Sequence, residues 1–489
     1  MLTSISFLIS CGGGGSSSAV VASSSSSSSK LDSGTTLTYN SSSATTLADT
    51  TEFTNFDYTS TSVQNPLEVI NAHKAYGYGL TGKNKMIAIM DSGFQKGAWY
   101  HQDLNSKGIT VYKTIVSATG VNVTKDHGLF VMSIAAAEDD GEGMQGVAPG
   151  AQLHLADYTQ KNGETYSPTH WANATDHAST YGAVVQNNSW GIEYQIDTLK
   201  SDISSNGWTN SYAVAQKFNA TGSTASVNST DAYITALNNF QDGHTSYPNG
   251  GVVVFALSND SSFTDADFMA ALPELYSQLG EAWITAVNVE ITGSSGNETY
   301  TRKSAPCGST GSYCLGGDGF EVNGAAYNSG NDDYYWQGPS GTSFVAPQIS
   351  GAVAILAEAF PNHDSEELTD RLLASADNSF FNHDAAVTFG NGVEHGYDDE
   401  FGHGILDIYA ALNPITSSAY TRVYTGDSSD NDDNDESFQL RNSKLSTSNS
   451  FGDSLKRGLI GEIGYTYDDL GGGFKYDMGF HVDLVTNKE

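Results

Sequence analysis

Residues 344–360, FVAPQISGAVAILAEAF, are apolar on nearly every side of a helical wheel. A helix with no polar stripe has to be enclosed, so the chain needs other elements on both sides of this segment. Pro347 lies near its start, where at most one ladder hydrogen bond is lost, and Pro361 ends it. Apolar runs that can supply an adjoining layer recur upstream: MIAIM leading into Asp91, QLHLADY (152–158), AVVQNNSW (183–190) and VVVFALSN (252–259). Between them LFVMSIAAAED (129–139) reads as a helix, and NPLEVINAHKAYGYGL (65–80) as an amphipathic helix ahead of the first strand. Alternating strand and helix predict an α/β fold, a parallel sheet flanked by helices on both faces.

That fold does not extend to the ends of the chain. Hydrophobic residues make up 38% of the 489 residues, and residues 12–65 are dominated by Ser, Thr and Gly. Such a composition does not offset the entropy of ordering, so 12–65 is expected to be a disordered, low-complexity tether. The folded body is expected at 66–415, and 416–489 as an acidic linker, GDSSDNDDNDES (426–437), followed by a weakly patterned tail. The run DNDDNDE (430–436) alternates like a calcium loop but lacks the turn glycine, and reads as solvated linker. A formal net charge of −35 repels phosphate backbones and anionic lipid, which excludes nucleic acid as a partner and electrostatic docking to membranes.

Three cysteines are present. Cys307 and Cys314 lie close together in a Gly/Ser-rich stretch, where a bridge would contribute about 2–3 kcal/mol on the chain-entropy argument. Two free thiols would suit a reducing compartment; the N-terminus argues against one. There MLTSISFLISCGGGG places an apolar stretch before Cys11, with no Lys or Arg in front. It resembles a bacterial lipoprotein signal over residues 1–11, with Cys11 as the lipidated residue and the odd cysteine thereby explained. A lipid anchor at Cys11 is the one membrane contact expected.

In an open parallel sheet, reactive groups gather at the carboxyl ends of strands and at the helix starts that follow. Asp91 follows MIAIM, His127 stands in KDHGLF, Asn259 ends VVVFALSN, and Ser343 opens the buried helix after Gly338 and Gly341. A serine hydroxyl needs a base as it attacks, a histidine serves near neutral pH, and a carboxylate fixes the histidine tautomer. The Ser343 amide and the Asn259 side chain could hold the oxyanion. Singly each has an ordinary reading as a cap or turn residue.

Together they resemble the subtilisin-like serine proteases, the subtilases. The resemblance runs through IAIMDSG, DHGLFVMSIAA with GMQGVAPGAQL, NNSWG, VVVFALSND, GTSFVAPQISGAVAIL and FGHGILDIYAAL, covering roughly 66–415. It implies Asp91, His127 and Ser343 as a catalytic triad, Asn259 as the oxyanion donor, and Asn188, Ser189, Trp190 and Gly191 as a segment against which substrate backbone pairs. It implies an endopeptidase acting on proteins or peptides through an acyl-enzyme.

The chain departs from the family pattern at Leu129 and Phe130, where HGTHV is usual, at Ser258, where Gly usually precedes the oxyanion Asn, and at Phe344. None of these removes a reacting group. The chemistry requires no cofactor; structural calcium, as in many subtilases, has candidate ligands in Asp103 of HQDL and Asp140 of EDDGEGM, with the ligand set left unknown. The lipobox-like start, the Gly/Ser tether, the Cys307/Cys314 pair and the lack of room for a folded pro-region after Cys11 resemble the lipoprotein, autotransporter-type bacterial subtilases. The tail SNSFGDSLKRGL (448–459) resembles the passage to their membrane barrel, though no barrel pattern follows. The implied location is extracytoplasmic: the outer membrane, the cell surface or the medium. The competing reading is a catalytically impaired surface adhesin or binding module on the same scaffold. An esterase is disfavoured because NSWG suits an extended peptide.

Overall fold

The computed structural model describes residues 39–57, 64–94, 101–113, 127–159, 167–218, 224–243, 248–294, 296–328, 333–417, 445–448, 455, 457–477 and 482–485. The four apolar runs form β1, β3, β4 and β5 of one eight-stranded sheet, whose strands are β1 Met86–Asp91, β2 Ile109–Val111, β3 Gln152–Asp157, β4 Ala183–Asn188, β5 Val252–Ala256, β6 Trp283–Ser294, β7 Asn297–Arg302 and β8 Cys314–Gly317. Their order is β2-β3-β1-β4-β5-β6-β7, with β8 also on β6. Every pairing is parallel except the hairpin of β6 and β7. Successive strand residues point to opposite faces, and every residue of β1, β4 and β5 is buried. Both faces are therefore covered. The helices His127–Ala136 and Ala346–Ala359 pack on each other and on β1; Pro168–Thr180 and Thr224–Asp242 pack on each other and against β4 and β5.

From β1 the chain travels to β2 and β3 on one flank, then returns to place β4 on the other. That reversal opens a crevice beyond the carboxyl ends of β1 and β4. Asp91 and Asn188 are the last residues of those two strands.

The segment that required enclosure is enclosed. Every residue of Ala346–Ala359 except Glu358 is buried. Together with the turn before it, it is long and apolar enough for a bilayer, yet 94% of Thr342–Ala359 is buried inside the protein. Gly351 lets it approach Val147: an added Cβ would stand 2.6 Å from the valine Cβ. The helix begins later than the apolar run. Thr342–Phe344 is a separate 3₁₀ turn, so Ser343 precedes the α-helix instead of opening it.

Three other features differ from expectation. The stretch 65–80 is two helices, Pro66–Val69 and Ala72–Gly77, because Asn71 takes a left-handed φ of 56° that breaks the ladder. Within the stretch assigned to the tether, Ser41–Ala48 and Thr51–Thr54 are helical, with Phe53 and Phe56 buried in the main core. A Ser/Thr/Gly average hides two aromatic anchors. At the other end, the turn 468–472 returns to the body, where Asp468 and Arg371 form a wholly buried ion pair at 2.7 Å. Arg371 also donates to the carbonyls of Ala411 and Asn413, while Asp468 accepts from the amides of Ile415, Leu470 and Gly472.

Cys307 and Cys314 form a disulfide that brackets the 3₁₀ helix Gly308–Tyr313. Cys11, residues 12–38 and the acidic run 426–437 lie outside the described residues, as does most of 448–459.

Candidate active site

Asp91 emerges from β1 fully buried, and its Oδ1 lies 2.7 Å from Nδ1 of His127. The Ser92 amide donates to the same oxygen at 2.6 Å. His127 begins its helix and is held there by the Gly128 amide, which donates to the Ser92 carbonyl at 2.6 Å. Gly128 has to lack a side chain, since a Cβ would come within 2.7 Å of the Phe94 ring. The imidazole keeps 29% of its side-chain surface exposed, so it has one face on the carboxylate and another toward solvent.

Burial raises the Asp91 pKa, and the charge and hydrogen bond of His127, with the Ser92 amide, only partly counter it. For His127, burial acts to lower the pKa, but the Asp91 carboxylate acts the other way by charge and by hydrogen bond, and the net shift is upward from 6.5.

Ser343 is positioned by the proline after it. An α-helical Pro347 amide would have bonded the Ser343 carbonyl four residues back, but proline has no N–H. The Ser189 hydroxyl takes that place, donating to the Ser343 carbonyl at 2.9 Å. Asn187 Nδ2 donates to Ser189 Oγ at 2.9 Å, and Ser350 donates to Asn187 Oδ1 at 3.2 Å. The Ser343 hydroxyl donates to the Ser189 carbonyl at 3.3 Å. No hydrogen bond joins Ser343 to His127 among the described residues. What connects their surroundings is Phe344, whose ring lies 5.9 Å from the imidazole and 6.2 Å from Phe130. Of the departures from the family pattern, Phe344 thus packs beside the histidine and Phe130 packs behind Phe344.

Asn259, just beyond β5, is exposed and oriented. Its Oδ1 accepts the Thr342 amide at 2.9 Å and the Thr342 hydroxyl at 3.1 Å. A backbone N–H can only donate, so this end of the amide is the oxygen and the NH₂ group is the remaining donor. Ser258 before it donates its hydroxyl to Glu193 Oε2 at 2.6 Å.

The segment 188–191 divides. Asn188 ends an internal strand, paired with β1 and β5, and its amide donates to the Val254 carbonyl at 3.2 Å, so it offers no free edge. Ser189 is spent on Ser343, and the buried Trp190 ring stacks on Tyr158 at 4.6 Å. Only 189–191 extends past the sheet's ladder, and Gly191 is its exposed residue.

The two acids suggested for calcium do not share a cage. Asp103 is buried and its Oδ2 accepts the Met144 amide at 3.3 Å, whereas Asp140 is exposed and accepts the Glu142 amide at 3.1 Å. Among the described residues no three His, Cys, Asp or Glu side chains gather as a metal site. Sequence reading missed the supporting roles of Ser189 and Thr342, though both lie inside motifs it singled out. Glu193 and Asp267 carry no sequence signal.

A doubly wound sheet with a buried Asp bonded to a partly exposed His at its switch point, and a serine on a glycine-flanked turn near it, defines the class of α/β proteins with an Asp–His–Ser order along the chain. Residues 82–404 match the Subtilase family (Peptidase_S8), and the chain belongs to that family. It is 27% identical over 364 residues to fervidolysin of Fervidobacterium pennivorans, across 71% of this chain and 43% of that relative. It is 26% identical over 379 residues to an extracellular serine protease of Serratia marcescens, across 71% of this chain and 33% of the relative. The matched part is thus less than half the length of either relative. The crystal structure of fervidolysin superposes with a TM-score of 0.48 at 20% identity, covering 75% of this chain and 50% of that one.

Proposed function

We propose that the protein is a serine endopeptidase in which Asp91, His127 and Ser343 form the triad. Asp91 holds the Nδ1–H tautomer of His127, leaving Nε2 as the base. Rotation of the Ser343 hydroxyl away from the Ser189 carbonyl brings it to Nε2, which takes its proton as Oγ attacks a peptide carbonyl. The oxyanion is held by the Ser343 amide and the Asn259 NH₂ group. His127 then returns the proton to the leaving amine, and water, activated in the same way, releases the acyl group. Extended substrate backbone pairs with 189–191.

The observation that carries this reading is the 2.7 Å contact between the buried Asp91 and His127, on the switch-point crevice that also receives Ser343. Family membership and relatives named as serine proteases support it. The finer reading adds export, with Cys11 as a lipid anchor holding the enzyme at the outer membrane or cell surface, as in lipoprotein or autotransporter-type subtilases. The test is labelling with a fluorophosphonate together with casein hydrolysis. Both are expected in the wild type and lost in Ser343→Ala; labelling that survives the substitution rules the assignment out. Mass spectrometry of the mature N-terminus tests the anchor, expected as a diacylglyceryl mass on Cys11.

A further inference from the structure

Beside Ser258 the structure places two carboxylates that the chemistry above does not use. Asp267 is only 1% exposed. Its Oδ1 accepts the Ala270 amide at 3.3 Å, while Oδ2 is buried with no hydrogen-bond partner among the described residues. Its surroundings place it against the substrate face. A Cβ added to Gly191 would stand 3.2 Å from Asp267 Oδ1, so the carboxyl faces the space left by the missing side chain. Its backbone bridges to Gln195, four residues past Gly191. Glu193, exposed, accepts the Ser258 hydroxyl at 2.6 Å. Among the described residues no ion pair involves Glu193 or Asp267.

We propose that Asp267, with Glu193 at the rim, makes an anionic pocket beside Gly191 and Ser258 that selects Lys or Arg as the residue preceding the cleaved bond. The proposal rests on the peptidase reading. If Asn259 holds the oxyanion, the carbonyl under attack belongs to that residue, and its side chain falls between the strand exits carrying Gly191 and Ser258. A turn cap alone does not explain Asp267: the Ala270 and Ser258 amides leave Oδ2 without a hydrogen-bond partner, and Asn or Ser would serve as the cap. A buried acid with one oxygen unmatched is costly until a cation arrives. Burial, only partly countered by the Ala270 and Ser258 amides, pushes the Asp267 pKa up to about 7, so near neutrality the group can give up a proton to meet a guanidinium or ammonium.

The experiment uses the full chain with two peptides differing only in arginine or norleucine before the scissile bond, after profiling on a peptide library. The wild type is expected to cleave after Lys and Arg. Asp267→Asn should lower the arginine-to-norleucine ratio of kcat/KM by about thirtyfold or more, the effect of removing one partner of a buried charge pair. Should that variant fail to fold, Glu193→Gln, at an exposed position, should lower the ratio about threefold, as for a rim charge. Cleavage chiefly after apolar residues, or ratios unmoved in a folded Asp267→Asn, overturns the pocket while leaving the peptidase standing. A folded wild type that neither takes fluorophosphonate nor cuts any peptide overturns the peptidase reading, and the pocket with it.

Discussion

In the proposed mechanism His127 acts as a base only when neutral. Asp91 shifts its pKa upward from 6.5, so the rate should fall as pH drops through a midpoint above 6.5. Asp91→Asn removes the carboxylate but leaves the burial, so that midpoint should move to lower pH while kcat drops by about 10⁴, the usual loss when a triad acid is neutralised. A pH–rate profile of both proteins on a chromogenic peptide checks direction and size; an acid limb that stays put would remove Asp91 from its orienting role. Asn259→Ala should cost about 10²–10³ in kcat with little change in KM, because an oxyanion donor acts mainly in the transition state. At this scale the residues proposed to react were legible because a local motif carries each. Ser189 was legible only as a member of NSWG: its bond to Ser343 depends on Pro347 lacking an N–H and on β4 ending opposite that turn, a relation across 154 residues. Asp267 had no local signal at all.

Elements obey competing local terms, and Gly351 puts two of them in opposition. Alanine is the better helix former by about 1 kcal/mol. Its Cβ, however, would meet Val147 at 2.6 Å and the Ala135 carbonyl at 3.2 Å, and overpacking of this kind costs about 1–3 kcal/mol. Gly351→Ala should therefore lower the thermal midpoint, and a rise would mean that the contact relaxes freely. Four of the eight strands, β1, β3, β4 and β5, were readable because near-continuous apolar runs of strand length suit a sheet covered on both faces, and their ends shifted by a few residues at most. The others, β2, β6, β7 and β8, were not anticipated, and β2 and β7 carry no buried apolar run. The stretch 65–80 misled because helical periodicity survives a break: Ile70 and Ala72 are both buried on either side of Asn71. Only the backbone at that asparagine distinguishes one helix from two.

Across the molecule, the described part of the segment beyond residue 416 is held by a polar anchor together with Leu470 and Phe474 against the core, too few apolar residues for hydrophobic patterning to predict it. Arg371 stands over the Phe360 ring at 4.4 Å and is sealed from water by the turn that carries Asp468. Asp468→Ala should destabilise the protein by about 3–5 kcal/mol, because it strands a buried cation, and should make the tail more susceptible to added protease. Arg371→Met together with Asp468→Leu should recover much of that loss, since an apolar pair leaves no charge behind. Chemical denaturation of the three proteins decides between a structural anchor and an incidental contact.

That anchor also bears on the order of synthesis. Arg371 leaves the ribosome well before the carboxylate that neutralises it, which lies 97 positions further along the chain. The nascent body must form around an unmatched guanidinium, or wait, until residue 468 and its flanks emerge. Chains released early would carry every reacting group yet lack the means to bury that charge, and quality control should clear them before they meet a substrate.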